Sequence, residues 1–376
     1  MRAPLPEYPW DAMEPYRARA AQHPGGAINL SIGSPVDPTP VAVRDALAGA
    51  TDARSYPATA GTLELREAIA DWYRRRRGVT VPPEAVLPTI GSKELVALLP
   101  FLLGIGAGEA VVFPRIAYPS YRMGAALVGA DAIAEDDPAA WPEHTRLVWI
   151  NSPSNPDGRV LDVEQLRERV ARARELGAVI VGDECYAEFG WDAPWDATPV
   201  PSVLDPRVVA DDHRGVIAIY SLSKQSNLAG YRAAFLAGDA ELVARLLTVR
   251  KHAGLMLPAP VQAAMLAALA DEQHVNEQRR RYRARRDLLR PALERAGYRV
   301  EGSEAGLYLW VTRDVDAWQS IGELANLGII AGPGHFYGDD SACYVRLALT
   351  ASDADIAEAA RRLGDRENSS IISMSR

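Results

Sequence analysis

A polar loop around one lysine is the segment of this sequence best equipped for chemistry. It consists of Ser221-Leu222-Ser223-Lys224 and continues to Arg232. A lysine amine that loses its proton through burial or cationic neighbours is a nucleophile and can form a Schiff base with a carbonyl group. The two serines and the arginine suit a phosphate dianion, because a guanidinium forms bidentate, charge-assisted hydrogen bonds. Lys224 alone would predict only a surface lysine, but the whole loop predicts a ligand with a phosphate and a carbonyl group.

Two other segments carry polar groups directly after short apolar runs. Asp183 and Tyr186 follow the run Val179–Gly182, and Asn155 follows Leu147–Ile150. A carboxylate at such a point can face a ligand, and an amide or phenol can donate a hydrogen bond to a ligand oxygen. Each segment has a simpler explanation as well. Asp183 would suit a helix N-cap, and the turn around Asn155 would be purely structural.

A fourth polar segment, Gly91-Ser92-Lys93, lies between a predicted strand and a predicted helix. The helix is indicated by an apolar face with helical spacing, formed by Leu95, Leu98, Leu99 and Leu102. The backbone N–H groups of Ser92 and Lys93 would then lie at the helix N-terminus, which is a common phosphate site. Ser92 as an ordinary N-cap remains the alternative.

The elements that must hold these loops alternate along the middle of the chain. Almost wholly apolar runs predict strands buried on both faces: Ala110–Phe113, Leu147–Ile150, Val179–Gly182, Val216–Tyr220 and Ala234–Ala237. Amphipathic segments between them, such as Asp162–Gly177, predict helices. The pattern predicts an α/β fold with a largely parallel central sheet. Ligands bind at the carboxyl ends of the strands in such folds, which is where the polar loops lie.

The last third of the chain has a different pattern, which predicts a smaller α+β domain. A long charged helix is expected over Asp271–Arg295, with a kink or break at Pro291, before strands at Leu307–Val311 and Cys343–Leu349. The second strand places Arg346 off its apolar face. The predicted division is an N-terminal arm and part of the small domain over 1–40, a large domain over 41–275, and the small domain over 276–376.

Composition places the chain among ordinary globular proteins, with 376 residues of which 48% are hydrophobic and 24% charged. The net charge of −8 argues against a nucleic-acid partner. No apolar run is long enough to span a membrane, and we expect no signal peptide, because the first residues lack an apolar core. Cys185 and Cys343 show no metal-ligand spacing, so we predict a reduced, cytoplasmic protein without a metal site.

Taken in order, the motifs around Ser92, Asn155, Asp183 and Lys224 resemble those of the class I/II aminotransferases. These are fold-type I enzymes that depend on pyridoxal 5′-phosphate (PLP). The resemblance covers residues 29 to about 361 and implies the same two-domain fold. It also implies that Lys224 holds PLP as a Schiff base and moves a proton between the substrate Cα and the cofactor. Asp183 would pair with the pyridine nitrogen.

The same resemblance assigns the other site residues. Asn155 and Tyr186 would contact the phenolic oxygen of the cofactor, and Tyr118 would stack on its ring. The substrate α-carboxylate would be bound by Arg346, by Asn155 and by the backbone N–H of Gly33. The phosphate would be bound by Ser221, Ser223, Arg232 and the amides of Ser92 and Lys93.

Two implied roles depend on positions outside these groups. Tyr56 matches the tyrosine that reaches the phosphate of the neighbouring subunit, which implies a homodimer. Lys93 stands where many relatives have threonine or serine, which leaves its side-chain contact with the phosphate in doubt. Its ammonium group could instead add positive charge near the phosphate or the substrate.

Finer segments are similar to those of the actinobacterial succinyldiaminopimelate aminotransferases: Ser226–Arg232, Gly306–Trp310 and Pro333–Gly338. This likeness implies reversible, ping-pong transfer of an amino group from glutamate to N-succinyl-2-amino-6-oxopimelate, a step of lysine biosynthesis. Such a long acidic substrate would need a cation beyond Arg346, and Lys93 or the N-terminal arm could supply it.

Several alternative functions would use some of the same residues. An aminotransferase for another amino acid, or a PLP-dependent β-lyase, would use the same cofactor site. A transcription regulator that senses PLP would carry a helix-turn-helix domain, for which we expect no room before Asn29. A non-catalytic relative is disfavoured by the intact lysine, aspartate and arginines.

Overall fold

The computed structural model describes residue 5 and residues 9–374, with side chains up to residue 364. Its strands are β1 (Ile28–Asn29), β2 (Val86–Ile90), β3 (Ala110–Phe113), β4 (Asp131–Ala134), β5 (Thr145–Asn151), β6 (Val179–Asp183), β7 (Val216–Ser221), β8 (Ala233–Gly238), β9 (Arg299–Glu301), β10 (Tyr308–Thr312), β11 (Ile329–Ile330), β12 (Gly332–Pro333) and β13 (Tyr344–Ala348). Its helices are α1 (Glu14–Ala21), α2 (Val41–Gly49), α3 (Leu63–Trp72), α4 (Gly91–Leu103), α5 (Ser120–Val128), α6 (Val163–Glu175), α7 (Pro206–Val209), α8 (Leu222–Gln225), α9 (Ala240–Ala253), α10 (Ala259–Ala270), α11 (Glu272–Arg295), α12 (Ala317–Asn326) and α13 (Asp353–Met374).

Among the described residues, the large sheet has seven strands in the order β2-β8-β7-β6-β5-β3-β4. Neighbours from β7 to β4 are parallel, whereas β8 runs antiparallel to both β2 and β7. Successive side chains of each strand point alternately into two apolar cores, one on each face of the sheet. Val148 and Ile180 lie in one core, and Leu147 and Val181 lie in the other. Burial of both faces explains why the strands are almost wholly apolar. The predicted α/β fold with a largely parallel sheet is confirmed.

Local signals fix where the connecting helices begin. Asp162 accepts a hydrogen bond from the N–H of Gln165 (2.9 Å), and the Gln165 side chain accepts one from the N–H of Asp162 (3.0 Å). This capping box starts α6, and the buried residues Leu166 and Val170 turn one face of α6 towards the sheet core. The helix predicted over Asp162–Gly177 is therefore present, and it ends two residues earlier than predicted, at Glu175.

Three neighbouring parallel strands end at one edge of the sheet. β5 ends at Asn151, β6 at Asp183 and β7 at Ser221. Asn151 pairs with Asp183 across the two strands, and its side-chain amide donates to the carbonyl oxygen of Asp183 (2.9 Å). The polar loops that follow these strands consequently meet at one place, as expected for an open α/β sheet.

A second, antiparallel sheet has the order β12-β13-β10-β9, and β1 pairs in parallel with β11. A separate apolar core surrounds these strands and includes Met13, Leu309 and Val345. Because Met13 and β1 precede residue 40, the N-terminal segment packs in this core. The domain boundaries at residues 40 and 275 remain predictions, and the second falls in the first turn of α11.

Helix α11 runs from Glu272 to Arg295 although Pro291 lies inside it. Of the predicted kink or break at Pro291, the break is therefore wrong. Proline removes one helical hydrogen bond. Leu289, Ala292 and Leu293, on either side of the proline, are fully buried in the small core. Their packing holds the helix together, because tertiary contacts supply most of the stability of a helix in a protein.

Three features bear on the kind of protein. Within the described ranges, no helix is both long and apolar enough to cross a membrane. The same residues contain no group of three or more acidic, histidine or cysteine side chains arranged to hold a metal ion. Cys185 and Cys343 form no disulfide.

Candidate active site

A cavity of about 360 Å³ lies at the edge where β5, β6 and β7 end. Residues of both sheets and of the N-terminal segment line it. The predicted site residues found in its wall are Gly33, Ser92, Lys93, Tyr118, Asn155, Asp183, Tyr186, Ser221, Ser223, Lys224, Arg232 and Arg346. Tyr56 lies elsewhere and is 95% exposed, so its role at the site of a neighbouring subunit stays a prediction.

Lys224 lies on the short helix α8, which directly follows β7. Ser221 caps this helix by accepting a hydrogen bond from the N–H of Ser223 (3.2 Å). The Lys224 Nζ donates to the carbonyl oxygen of Gly33. Burial lowers the pKa of Lys224 below its ordinary value, and two nearby arginine charges act in the same direction. The neutral, nucleophilic form of the amine is therefore favoured.

Asp183 is a buried carboxylate at the end of β6. Its Oδ2 accepts a hydrogen bond from the Tyr121 hydroxyl (2.8 Å), and its Oδ1 accepts one from the N–H of Cys185 (3.3 Å). Burial raises the pKa of Asp183, and these hydrogen bonds oppose the shift only in part. In the described part of the chain, no basic side chain forms an ion pair with it. The carboxylate is thus free to pair with a cationic ligand atom such as a protonated ring nitrogen.

The start of helix α4 provides N–H groups for an anion. The helix begins at Gly91, so the N–H groups of Ser92 and Lys93 lie in its first turn, where no helical acceptor exists. The N-cap position is held by Ile90, without a side-chain cap. The alternative of Ser92 as an ordinary N-cap is therefore not what the structure contains.

Gly91 also makes room for Arg232. Its φ of +73° lies in the left-handed region, and a Cβ at this position would overlap the Arg232 guanidinium. Glycine satisfies both requirements because it has no side chain. The guanidinium is held from one side, where its Nη1 donates to the carbonyl oxygen of Ala229 (2.7 Å). A glycine thus sets the approach of the arginine to the start of α4.

Replacement of Gly91 by alanine should weaken PLP binding by about tenfold or more, because a displaced arginine loses charge-assisted hydrogen bonds to phosphate. The affinity of the cofactor-free protein for PLP can be measured by fluorescence titration. Gly104→Ala is the matched control, since Gly104 ends the same helix at a φ of +78° with open space around it. Equal losses in the two variants would show that backbone strain, not the arginine, is responsible.

Arg346 on β13 is a buried cation, only 4% exposed. Its Nη1 donates to Asn155 Oδ1 (2.7 Å) and its Nη2 to the carbonyl oxygen of Ser31 (2.6 Å). Its Nε has no hydrogen-bond partner among the described residues. The guanidinium carbon lies 3.9 Å from the centre of the Tyr308 ring, a cation–π contact. Arg346 is therefore held in place to bind an anion such as a carboxylate.

Three aromatic residues around Arg346 escape prediction from the sequence. Tyr308, Tyr337 and Trp10 lie with their ring centres 3.9, 5.0 and 5.8 Å from its guanidinium carbon. Tyr308 lies two residues before Trp310, which is the direct neighbour of Arg346 across β10 and β13. That pairing is the signal that could have found Tyr308, but it becomes visible only once the strand register is known.

The groups of this cavity fit PLP in chemical type. Asp183 is an unpaired, buried acceptor for a pyridinium nitrogen, and Arg232 with the first turn of α4 can bind a phosphate. Lys224 offers the amine that reacts with an aldehyde carbon, and Asn155 keeps its amide N–H groups for donation because its oxygen already accepts from Arg346. A seven-stranded, mostly parallel sheet with this site defines a fold-type I PLP enzyme.

Comparison with known proteins gives the family. Residues 26–363 match the family described as aminotransferase class I and II, and the chain belongs to this family. Its members depend on PLP, so the cofactor prediction and the prediction of an aminotransferase are confirmed.

Individual relatives cover nearly the whole chain. Identity is 57% to the 4-dedimethylamino-4-oxo-anhydrotetracycline transaminase OxyQ of Streptomyces rimosus, over 96% of this chain and 99% of that protein. Identity is 52% to a probable aminotransferase of Mycobacterium tuberculosis, over 96% of this chain and 86% of that protein. The solved structure of a probable N-succinyldiaminopimelate aminotransferase from Thermus thermophilus is similar with a TM-score of 0.84 and 30% identity, over 95% of this chain and 99% of that one.

Proposed function

We propose that this aminotransferase moves an amino group reversibly between glutamate and N-succinyl-2-amino-6-oxopimelate. The observation that carries the proposal is a set of cations in one cavity. Arg346 is placed for an α-carboxylate, and Arg17 and Lys93 line the same cavity. A long substrate with several carboxylates would use cations of this kind. The likeness to the Thermus thermophilus protein points the same way.

The two additional cations have little charge compensation from the chain. The Arg17 side chain is 34% exposed, and its ion pair with Glu14 is long, 3.8 Å, with a glutamate that is 76% exposed. Such an exposed pair contributes little. Lys93 forms no ion pair with the described residues, and its Nζ lies 5.9 Å from the centre of the Tyr118 ring. Both side chains are thus available to a distal carboxylate.

The chain's own groups divide the work of the reaction. PLP, when bound, supplies an electron sink for the electrons of the substrate Cα–H bond. Lys224 acts as the general base that takes the Cα proton and as the acid that returns it, which its lowered pKa favours. Arg346 orients the α-carboxylate, and Asp183 holds its negative charge where a protonated ring nitrogen needs it. The rings of Tyr308 and Tyr337 shield Arg346 from water, which strengthens its attraction for an anion.

A homodimer is part of the proposal. Tyr56 is almost fully exposed and lies outside its own chain's cavity, as expected for a residue that serves a second copy. Val41 and Leu63 are also exposed apolar side chains in the same part of the sequence. An interface of two copies would cover such residues.

A second candidate follows from the high identity to OxyQ. That protein is described as acting on an oxo-anhydrotetracycline, which is a ketone built on several fused rings. Trp10, Tyr118, Tyr308 and Tyr337 in the cavity wall would suit an aromatic ring system. The cationic residues argue for the acidic substrate, because a compound with several carboxylates would give both Arg17 and Lys93 a partner.

The deciding experiment is an assay of the purified protein with glutamate as donor and a panel of acceptors. We expect formation of 2-oxoglutarate with N-succinyl-2-amino-6-oxopimelate, and the reverse reaction from N-succinyl-diaminopimelate. Turnover only with a ring ketone would favour the second candidate. Release of pyruvate and ammonia from an amino acid would instead indicate a β-lyase.

Replacement of Arg17 by alanine should raise the KM for the acidic acceptor about tenfold while kcat changes little. A distal contact made equally in the bound and transition states affects KM rather than kcat, and a hydrogen bond to a charged group is worth about 1.5–3 kcal/mol. Arg19→Ala is the matched control, because Arg19 lies on the same helix beside Tyr16 and outside the cavity wall. An unchanged KM in Arg17→Ala, with an increase in Lys93→Ala, would transfer the role to Lys93.

A further inference from the structure

The hydroxyl of Tyr308 lies within the active site, where its oxygen is 3.2 Å from the hydroxyl oxygen of Tyr186. Tyr308 is buried at the start of β10, and its ring supports the Arg346 guanidinium. Gly33 makes room for the hydroxyl, since a Cβ at that position would overlap it. Neither the carboxylate-binding role of Arg346 nor the packing of the ring explains why an oxygen is present at this point.

A count of protons sets the direction of the hydrogen bond between the two tyrosines. Each phenol has a single proton to donate and can accept through its oxygen. This inference rests on the proposed function and on the contact that the family resemblance implies between Tyr186 and the phenolic oxygen of PLP, in which the phenol donates its proton. Tyr186 then has no proton left for Tyr308. The hydrogen bond at 3.2 Å must therefore run from Tyr308 to Tyr186.

We propose that Tyr308 is a positioning residue whose hydroxyl donates to the oxygen of Tyr186 and strengthens the hydrogen bond that Tyr186 gives to the cofactor. Hydrogen bonds in a chain polarise one another, so a phenol that accepts a hydrogen bond becomes a better donor. The effect is large only where water is excluded, and both tyrosines are buried. Tyr308 thereby acts on the cofactor through Tyr186.

The charges around the pair agree with this direction. Burial alone would raise the pKa of Tyr308, but nearby positive charge, above all that of Arg346, outweighs it and holds the pKa below its ordinary value. Burial raises the pKa of Tyr186 well above its ordinary value. A positive charge beside a phenol makes its hydroxyl a better donor, and the Arg346 guanidinium carbon lies 3.9 Å from the centre of the Tyr308 ring. The titratable and charged groups that face it are Tyr186, Lys224, Arg346, Cys185, Tyr282 and Tyr337.

This relay, from the Tyr308 hydroxyl through Tyr186 to the phenolic oxygen of the cofactor, has a consequence that can be measured by absorbance. A hydrogen bond to the phenolic oxygen withdraws negative charge that would otherwise stabilise a proton on the nitrogen that joins Lys224 to the cofactor. A stronger hydrogen bond from Tyr186 therefore lowers the pKa of that nitrogen. Loss of the Tyr308 hydroxyl should raise it.

The test is a pH titration of the visible absorbance of the holoenzyme, compared between wild type and Tyr308→Phe. Phenylalanine keeps the ring beneath Arg346 and removes only the hydroxyl. We expect the midpoint to rise by about half a pH unit. Tyr344→Phe is the matched control, because Tyr344 is on the neighbouring strand but donates to Glu301 Oε2 (2.7 Å), outside the cavity wall.

A double-variant comparison separates the relay from a general disturbance. In the Tyr186→Phe background, Tyr308→Phe should cause no further rise, because the group that passes on its effect is gone. A midpoint unmoved by Tyr308→Phe, or an equal rise in both backgrounds, overturns the relay while the cofactor chemistry stands. If the visible absorbance of the wild-type enzyme does not change with pH, the proposed roles of Lys224 and Tyr186 are overturned, and the relay with them.

Discussion

Alanine at position 224 should reduce transamination by more than about 1,000-fold and remove the visible absorbance of covalently held PLP. The lysine is both the nucleophile that holds the cofactor and the base that moves the substrate proton, and loss of one general base alone costs about 10²–10⁴. Its position supports both roles, since Nζ lies in the cavity wall beside Gly33 and burial favours the neutral amine. Initial rates and absorbance spectra of wild type and Lys224→Ala provide the measurement.

The chain offers an unusually clean control for this result. It contains only three lysines, Lys93, Lys224 and Lys251. Lys251 is exposed on α9, so Lys251→Ala should keep full activity. Borohydride reduction followed by peptide mapping should place the cofactor on Lys224 alone. Label on Lys93 or Lys251, or activity that survives in Lys224→Ala, would contradict the proposed chemistry.

Replacement of Asp183 by asparagine should lower kcat by about 100- to 1,000-fold, the usual cost of losing one preorganised charge contact in an active site. Asparagine keeps the shape and can still accept from Tyr121, but it offers no negative charge to a pyridinium nitrogen. Single-turnover measurements with glutamate would follow the effect on the proton-transfer half-reaction. Asp183→Glu restores the charge and should recover part of the rate. Equal rates in the asparagine and glutamate variants would contradict an electrostatic role.

In the cofactor-free protein, the same substitution should not be harmful and should leave the stability of the fold unchanged or higher. Burial raises the folded-state pKa of Asp183, so ionisation of the carboxylate destabilises the fold above that pKa, and the cost disappears below the ordinary aspartate value of 3.8. Asp183→Asn should therefore have an equal or higher Tm than wild type near pH 7 without PLP. The increase in Tm on adding PLP should be smaller in the variant. Scanning calorimetry with and without cofactor measures both effects.

Several elements of the fold follow from local patterns. The strands β3 and β5–β8 are apolar because both faces are covered, and such runs stand out in the sequence. Helix α6 has its capping box in adjacent residues. The reversed direction of β8 has no local signal, because an apolar run looks the same in either direction. The continuity of α11 through Pro291 also depends on contacts with distant residues.

The sequence by itself determined the groups that make the chemistry possible. Asp183 ends a strand, Lys224, Asn155 and the first turn of α4 lie just after strands, and Arg232 lies in the segment that joins β7 to β8. Their placement is local, since a loop after a parallel strand opens at the carboxyl edge of the sheet. Tertiary structure alone decided what surrounds the substrate. Trp10 and Arg17 come from the N-terminus and Tyr308 from β10, and each reaches the cavity only because the small core packs beside the large sheet. Contacts between residues hundreds of positions apart, such as Arg346 with Ser31, have no signature in the chain until packing brings them together.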